Sequence, residues 1–215
     1  MKYKFHFSAV ELPHIAGALV ALAFSFQFIL FRKEIFTDGL FSNLPSMLSF
    51  FAQSLVAVGV GFVLHELGHK YVAQKKGLWA EFRAWPAGLL LAVGMALFSR
   101  GSFVFAAPGA VVINPLKKTK SGELAVTKLK KEDIGHIGII GSVINIVLAA
   151  IFGTIAAVTG LHIAAISAQV NGWLAIFNMI PLGMLDGAKV WFWSKPIWAG
   201  FTVLCIAVFV LTVLL

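Results

Sequence analysis

A single cysteine, Cys205, lies in the last apolar run of the 215-residue chain, so no internal disulfide can form. A lone thiol in such a run reads as packed and inert. Charge is almost as scarce. Asp, Glu, Lys and Arg make up 12% of the residues against 60% hydrophobic ones, and the mean hydropathy is +0.92. That balance excludes an ordinary soluble domain. Acidic residues are the scarcer charges, 9 against 17 Lys and Arg, which leaves a formal net charge of +8. In a chain this apolar the positive excess reads as cytoplasmic loops, with no nucleic-acid partner. A cleavable signal peptide is not expected either, because the first residues alternate basic and aromatic side chains and lack an apolar core.

Apolar runs long enough to cross a hydrocarbon layer of about 30 Å are abundant. Five spans are expected, over residues 14–31, 47–67, 134–158, 162–180 and 197–215. The expected fold is an all-α polytopic membrane protein of about five to six transmembrane helices with a small membrane-associated β element. It forms one membrane-embedded domain, with its core over residues 47–190. Lys2, Lys4 and His6 alternate with Tyr3, Phe5 and Phe7, which predicts a short strand on the membrane surface.

Residues 70–133 carry a dense set of Lys and Arg, which assigns them, the N-terminus and the C-terminal end of the second span to the cytoplasmic side. Two apolar patches interrupt the segment, at 88–98 and 102–113. An eleven-residue helix reaches only about 16 Å, too short to cross, so residues 80–115 are expected to re-enter the membrane or lie on it. Residues 103–107 and 110–113 flank the turn signal Pro108-Gly109, and residues 81–85 alternate like a strand. A small sheet is expected there, with an edge that an extended peptide can join. A purely anchoring role is the competing reading. Residues 116–133 read as a basic surface loop.

The second span ends in His65-Glu66-Leu67-Gly68-His69, the pattern H-E-x-x-H. Helical residues four apart share a face, so both imidazoles can turn toward one Zn²⁺, with Glu66 placed to take a proton from an attacking water. Ionisable side chains inside lipid cost roughly 2.5–3.5 kcal/mol each on insertion scales, and a metal compensates for that cost. Asp186 is the candidate third ligand. Pro181 breaks the fourth span, and counting crossings brings Asp186 to the same membrane face as the two histidines. Gly138, Gly141, Ser142 and Asn145 share a face of the third span, where small residues admit close neighbours. Physical grounds leave Asn145 open between helix–helix partner and substrate ligand.

His65-Glu66-Leu67-Gly68-His69 together with Asn178-Met179-Ile180-Pro181-Leu182-Gly183-Met184-Leu185-Asp186-Gly187 resembles the paired motifs of the site-2 protease family of intramembrane zinc metalloproteases. The resemblance is to a compact prokaryotic or archaeal form without PDZ or nucleotide-sensing domains. It implies one Zn²⁺ per chain on His65, His69 and Asp186, with Glu66 as the catalytic residue. It further implies that Asn145 and Asn178 hold substrate or the oxyanion, and that residues 103–113 receive the unwound substrate. The implied partners are a transmembrane protein or peptide substrate and the lipid bilayer, and cleavage would fall near the cytoplasmic membrane face. A metal-binding transporter and an inactive membrane scaffold are the alternatives from other classes.

Overall fold

The computed structural model describes residues 5, 7–114, 116–118, 124–126 and 128–214, with only the backbone described for 116–118 and 124–126. The chain is mostly helical. Four helices are long and apolar enough to cross a membrane: α1 (Glu11–Leu30), α3 (Leu44–Lys75), α5 (Lys131–Thr159) and α8 (Lys195–Val213). Between α1 and α3 lie the short α2 (Arg32–Phe36) and a 3-10 turn, Leu40–Ser42. The fourth expected span is the 17-residue α6 (His162–Asn178), which packs along α5.

Local chemistry sets the helix ends. Asn43 Oδ1 accepts from Ser46 N at 3.1 Å, with Pro45 in the first turn, and this starts α3. Asp133 in the first turn of α5 accepts from Lys130 N at 3.1 Å. Gly160, left-handed at φ +68°, stops the same helix. Ser194 caps α8 ahead of Pro196.

The long helices alternate in direction, as their cross-contacts record. Phe31 stacks on Phe50 at 4.4 Å between α1 and α3, and Asn145 meets His65 between α5 and α3. Ser142 Oγ donates to Ala175 O between α5 and α6, and Trp198 Nε1 donates to Met179 O at the start of α8. The second expected span continues past His69 to Lys75, so H-E-x-x-H lies within α3 and not at its end. In the extra turns Lys70 is buried and pairs with Glu11 of α1, whose second oxygen accepts from Phe82 N at 3.0 Å, while Tyr71 and Lys75 stay exposed. An ion pair this deep is tolerated only when both charges are matched.

Residues 79–114 form a strand–helix–strand element whose two strands pair. Strand β1 (Trp79–Ala84) leads into helix α4 (Pro86–Phe98), which runs beside α1. At its far end Arg32 Nε donates to Arg100 O at 2.8 Å, close to the end of α1. Residues 103–108 return without regular structure, and β2 (Gly109–Asn114) pairs antiparallel with β1 from Trp79↔Asn114 to Ala84↔Gly109. The element thus enters and leaves at one end of the bundle. Two local expectations fail. Pro108-Gly109 does not turn a hairpin between 103–107 and 110–113. The Pro108 carbonyl instead accepts from Trp85 N at 2.8 Å, while Val104 and Ala106 are drawn into the core. Residues 116–118 (β3) and 124–126 (β4) pair as a second two-stranded sheet within the expected loop. Of the strand expected at 2–7, residues 1–4 and 6 lie outside the described residues, and Phe5 and Phe7 are not in a strand.

Candidate metal centre

His65 and His69 stand one turn apart on α3, with their rings edge to face at 4.7 Å. The chain then leaves α6 at Asn178, turns through Gly183 at φ +56°, and starts helix α7 (Asp186–Trp193) on Asp186 itself. Helix α7 falls between the fourth and fifth expected spans, where the apolar pattern marks no helix. Its seat is a glycine stripe on α5: a Cβ on Gly138 would lie 2.8 Å from Lys189 Cβ, and one on Gly135 would enter the ring of Trp193. Small residues on one helix thereby set the approach of another.

That seat delivers Asp186 Oδ2 to 3.1 Å from His65 Nε2 and 2.8 Å from His69 Nε2. All three residues are buried, and their candidate ligand atoms lie within 4.8 Å of one another. Each ligand is held from behind. Asn145 Oδ1 sits 2.6 Å from His65 Nδ1, and the Ile137 carbonyl sits 2.5 Å from His69 Nδ1. Both rings therefore carry their proton on Nδ1 and aim a lone pair from Nε2 at the same point. Lys189 Nζ donates to Asp186 Oδ1 at 2.8 Å and leaves Oδ2 to face the histidines.

The donor set fits zinc. Ligand atoms at about 2.0–2.1 Å from a tetrahedral ion stand about 3.3 Å apart, within a few tenths of an ångström of the two His–Asp separations. Glycine at position 141 leaves room for the two imidazole edges that face the centre: a Cβ there would lie 2.5 Å from His65 Nε2 and 2.6 Å from His69 Nε2. Glu66 is buried beside the two histidines, and its Oε2 has no hydrogen-bond partner among the described residues.

Asn145 is fully buried and its amide is spent inside the bundle. Besides facing His65, it donates to Gly61 O at 3.3 Å and to Asn171 Oδ1 at 2.9 Å. Of the two roles the sequence left open, this geometry favours the partner over the substrate ligand. Asn178 sits in the wall of the cleft with Nδ2 on Leu174 O at 3.0 Å. Sequence reasoning missed Asn171 and Lys189 as parts of the site. Asn171 shares a helix face with Asn178, and Lys189 lies one turn after Asp186, so helical spacing was the available signal for both.

The cleft over these groups holds about 30 Å³ of free space, enough for a water and far short of a peptide. One wall is β2, through Gly109, Ala110 and Val111. The outer edge of β1 is covered, since Phe82 N donates to Glu11 and Ala84 N donates to His14 Nδ1 at 3.1 Å. Among the described residues, β2 pairs with β1 alone, and its second edge borders the cleft.

A protein of Methanocaldococcus jannaschii named "Putative zinc metalloprotease MJ0611" is 34% identical over 200 residues, which cover 91% of this chain and 90% of that one. No family model and no solved structure matches the chain.

Proposed function

The chain belongs to the zinc-metalloprotease family of this Methanocaldococcus jannaschii protein, and on that premise we propose that it is an intramembrane peptidase of the site-2 type. It hydrolyses a peptide bond of a transmembrane segment near the cytoplasmic membrane face. The observation that carries the reading is the convergence of His65, His69 and Asp186, buried among membrane-length helices, with the unpartnered carboxylate oxygen of Glu66 beside them. Gly141 lies about 15 Å along α5 from Lys131, so the site is set into the bundle but nearer the end that carries the two sheets.

The two histidines and Asp186 would hold Zn²⁺, which supplies Lewis acidity and lowers the pKa of an attacking water. Glu66 takes the proton of that water and passes it to the leaving amine. Asn178 turns its second amide N–H toward the carbonyl oxygen as negative charge develops there. The substrate enters unwound and lies along the outer edge of β2. Backbone hydrogen bonds to Gly109–Val111 then hold it extended beside the ligands. The present cleft is too small for this, so β2 and the loop before Asp186 must separate first. Asn145, Asn171 and Lys189 are positioning residues: they orient His65 and keep one oxygen of Asp186 turned to the ion.

Incubating the purified protein in detergent with a transmembrane test substrate checks the activity. Cleavage should stop with a zinc chelator and return when zinc is restored. Uncleaved substrate with one zinc bound would overturn the peptidase reading, and zinc movement across proteoliposomes would favour a transporter. Asn145→Ala and Lys189→Met should each weaken zinc binding by about 10–100-fold, as measured by chelator competition, and Lys189→Arg should recover most of the loss.

A further inference from the structure

The end of the bundle opposite the metal centre carries a second feature. Helix α1 is about 30 Å long, so residues just beyond Leu30 stand one hydrocarbon thickness away from Glu11. There Arg32 and Lys33 meet Arg100, brought from α4, around a groove of about 630 Å³ that also includes Glu34. Three positive charges face one negative charge. Arg100 is held at the rim: its backbone takes a positive φ of 50°, its carbonyl accepts from Arg32 Nε, and Gly101 packs against the Phe28 carbonyl.

Next to this groove lies an apolar slot of about 240 Å³ between α1, α6 and α8, walled by Phe26, Val170, Trp173 and Phe209. Ile29 and Leu30 line both cavities, so the basic groove and the apolar slot adjoin. The pair matches an amphiphile with an anionic head and a hydrocarbon tail. Its height matches the headgroup level of the leaflet away from the metal centre. Guanidinium groups suit phosphate oxygens through paired N–H donors.

We propose that Arg32, Lys33 and Arg100 bind the phosphate of an anionic phospholipid whose acyl chain fills the slot between α1, α6 and α8. A free phosphate would leave the slot unfilled. The site is independent of the peptidase reading, since none of its residues touches the metal ligands.

The test is native mass spectrometry of the full chain in detergent, titrated with phosphatidylglycerol or phosphatidylcholine. One phosphatidylglycerol should be retained per chain, at least about tenfold more tightly than phosphatidylcholine. Removing each positive charge should cost about fivefold, so Arg32→Gln combined with Arg100→Gln should erase the preference. Val213→Trp, at the mouth of the slot, should lower retention of both lipids. Zinc content reports whether each variant is folded. Should the double variant lose zinc, the exposed Lys33→Gln alone must still show the fivefold loss. Equal retention of the two lipids by the native chain, or phosphatidylglycerol binding unmoved by the charge variants, would overturn the proposal.

Discussion

Replacing Glu66 with Gln is expected to lower the cleavage rate by about 10²–10⁴-fold while one zinc ion per chain stays bound. Gln keeps the shape of Glu and can occupy the same pocket beside His65 and His69. It has no carboxylate to accept a proton. The Glu66 side chain is buried, and no hydrogen bond to its Oε2 holds the fold together, so the exchange leaves no other group unpaired. In the proposed site the ligand atoms come from His65, His69 and Asp186, so zinc content and chelator resistance should match the native protein. Rates on the same transmembrane test substrate, read beside zinc content, separate the two effects. Activity within a few-fold of native would remove Glu66 from the proton path. Loss of zinc together with loss of activity would make Glu66 a fourth protein ligand of the ion, and not its base.

How much of this was legible in the sequence depends on the range of each signal. The spacing of His65 and His69 is local, because a helix places residues four apart on one face wherever it sits. Asp186 is distant, yet counting membrane crossings was enough to bring it to the same end. What the sequence could not carry was pairing between segments. The 103–107 and 110–113 runs look like the two arms of a hairpin, whereas β2 pairs with β1 across the whole of α4. Nothing local distinguishes those partners, since both offer β-prone residues, and the choice is made by the burial of Val104 and Ala106. Helix α7 was hidden for a related reason. Its eight residues make a weak pattern, and the glycines of α5 that seat it lie some fifty positions earlier. The C-terminal end of α3 lies beyond the expected span because a helix stops where its hydrogen bonds stop and not where the lipid does. The buried pairing of Lys70 with Glu11 lets it run on.

The same long-range fit explains why the ligands need so many partners. An imidazole on a helix can rotate, and a carboxylate can offer either oxygen. Asn145 and the Ile137 carbonyl settle the rings, and Lys189 settles the carboxylate. Asn145 is itself held by Asn171, whose amide would meet a Cβ at position 61 at 2.5 Å. Gly61 therefore leaves space for the group that braces the brace of His65.

Gly141→Ala should abolish zinc binding, with affinity down at least about 100-fold and cleavage lost with it, although the substitution adds a single methyl group. On helix propensity alone it should stabilise α5, since Ala is favoured over Gly by about 1 kcal/mol in a helix interior. The cost lies in space. The added carbon would stand 2.5 Å from His65 Nε2 and 2.6 Å from His69 Nε2, the two atoms that aim at the ion. Contacts that short force either the imidazoles or α5 to move, and both are fixed: the rings by Asn145 and Ile137, the helix by its packing on α6 and α7. Overpacking of about 1–3 kcal/mol offsets the helix gain, so circular dichroism should still show a folded helical protein, with thermal unfolding at or somewhat below that of the zinc-free native chain, while zinc content falls to background. Gly200→Ala on α8, where an added Cβ meets nothing within 4 Å, is the control and should leave zinc and activity unchanged. A Gly141→Ala protein that keeps one zinc at native affinity would mean that the ion does not sit between the Nε2 atoms, and the metal centre would have to be placed elsewhere.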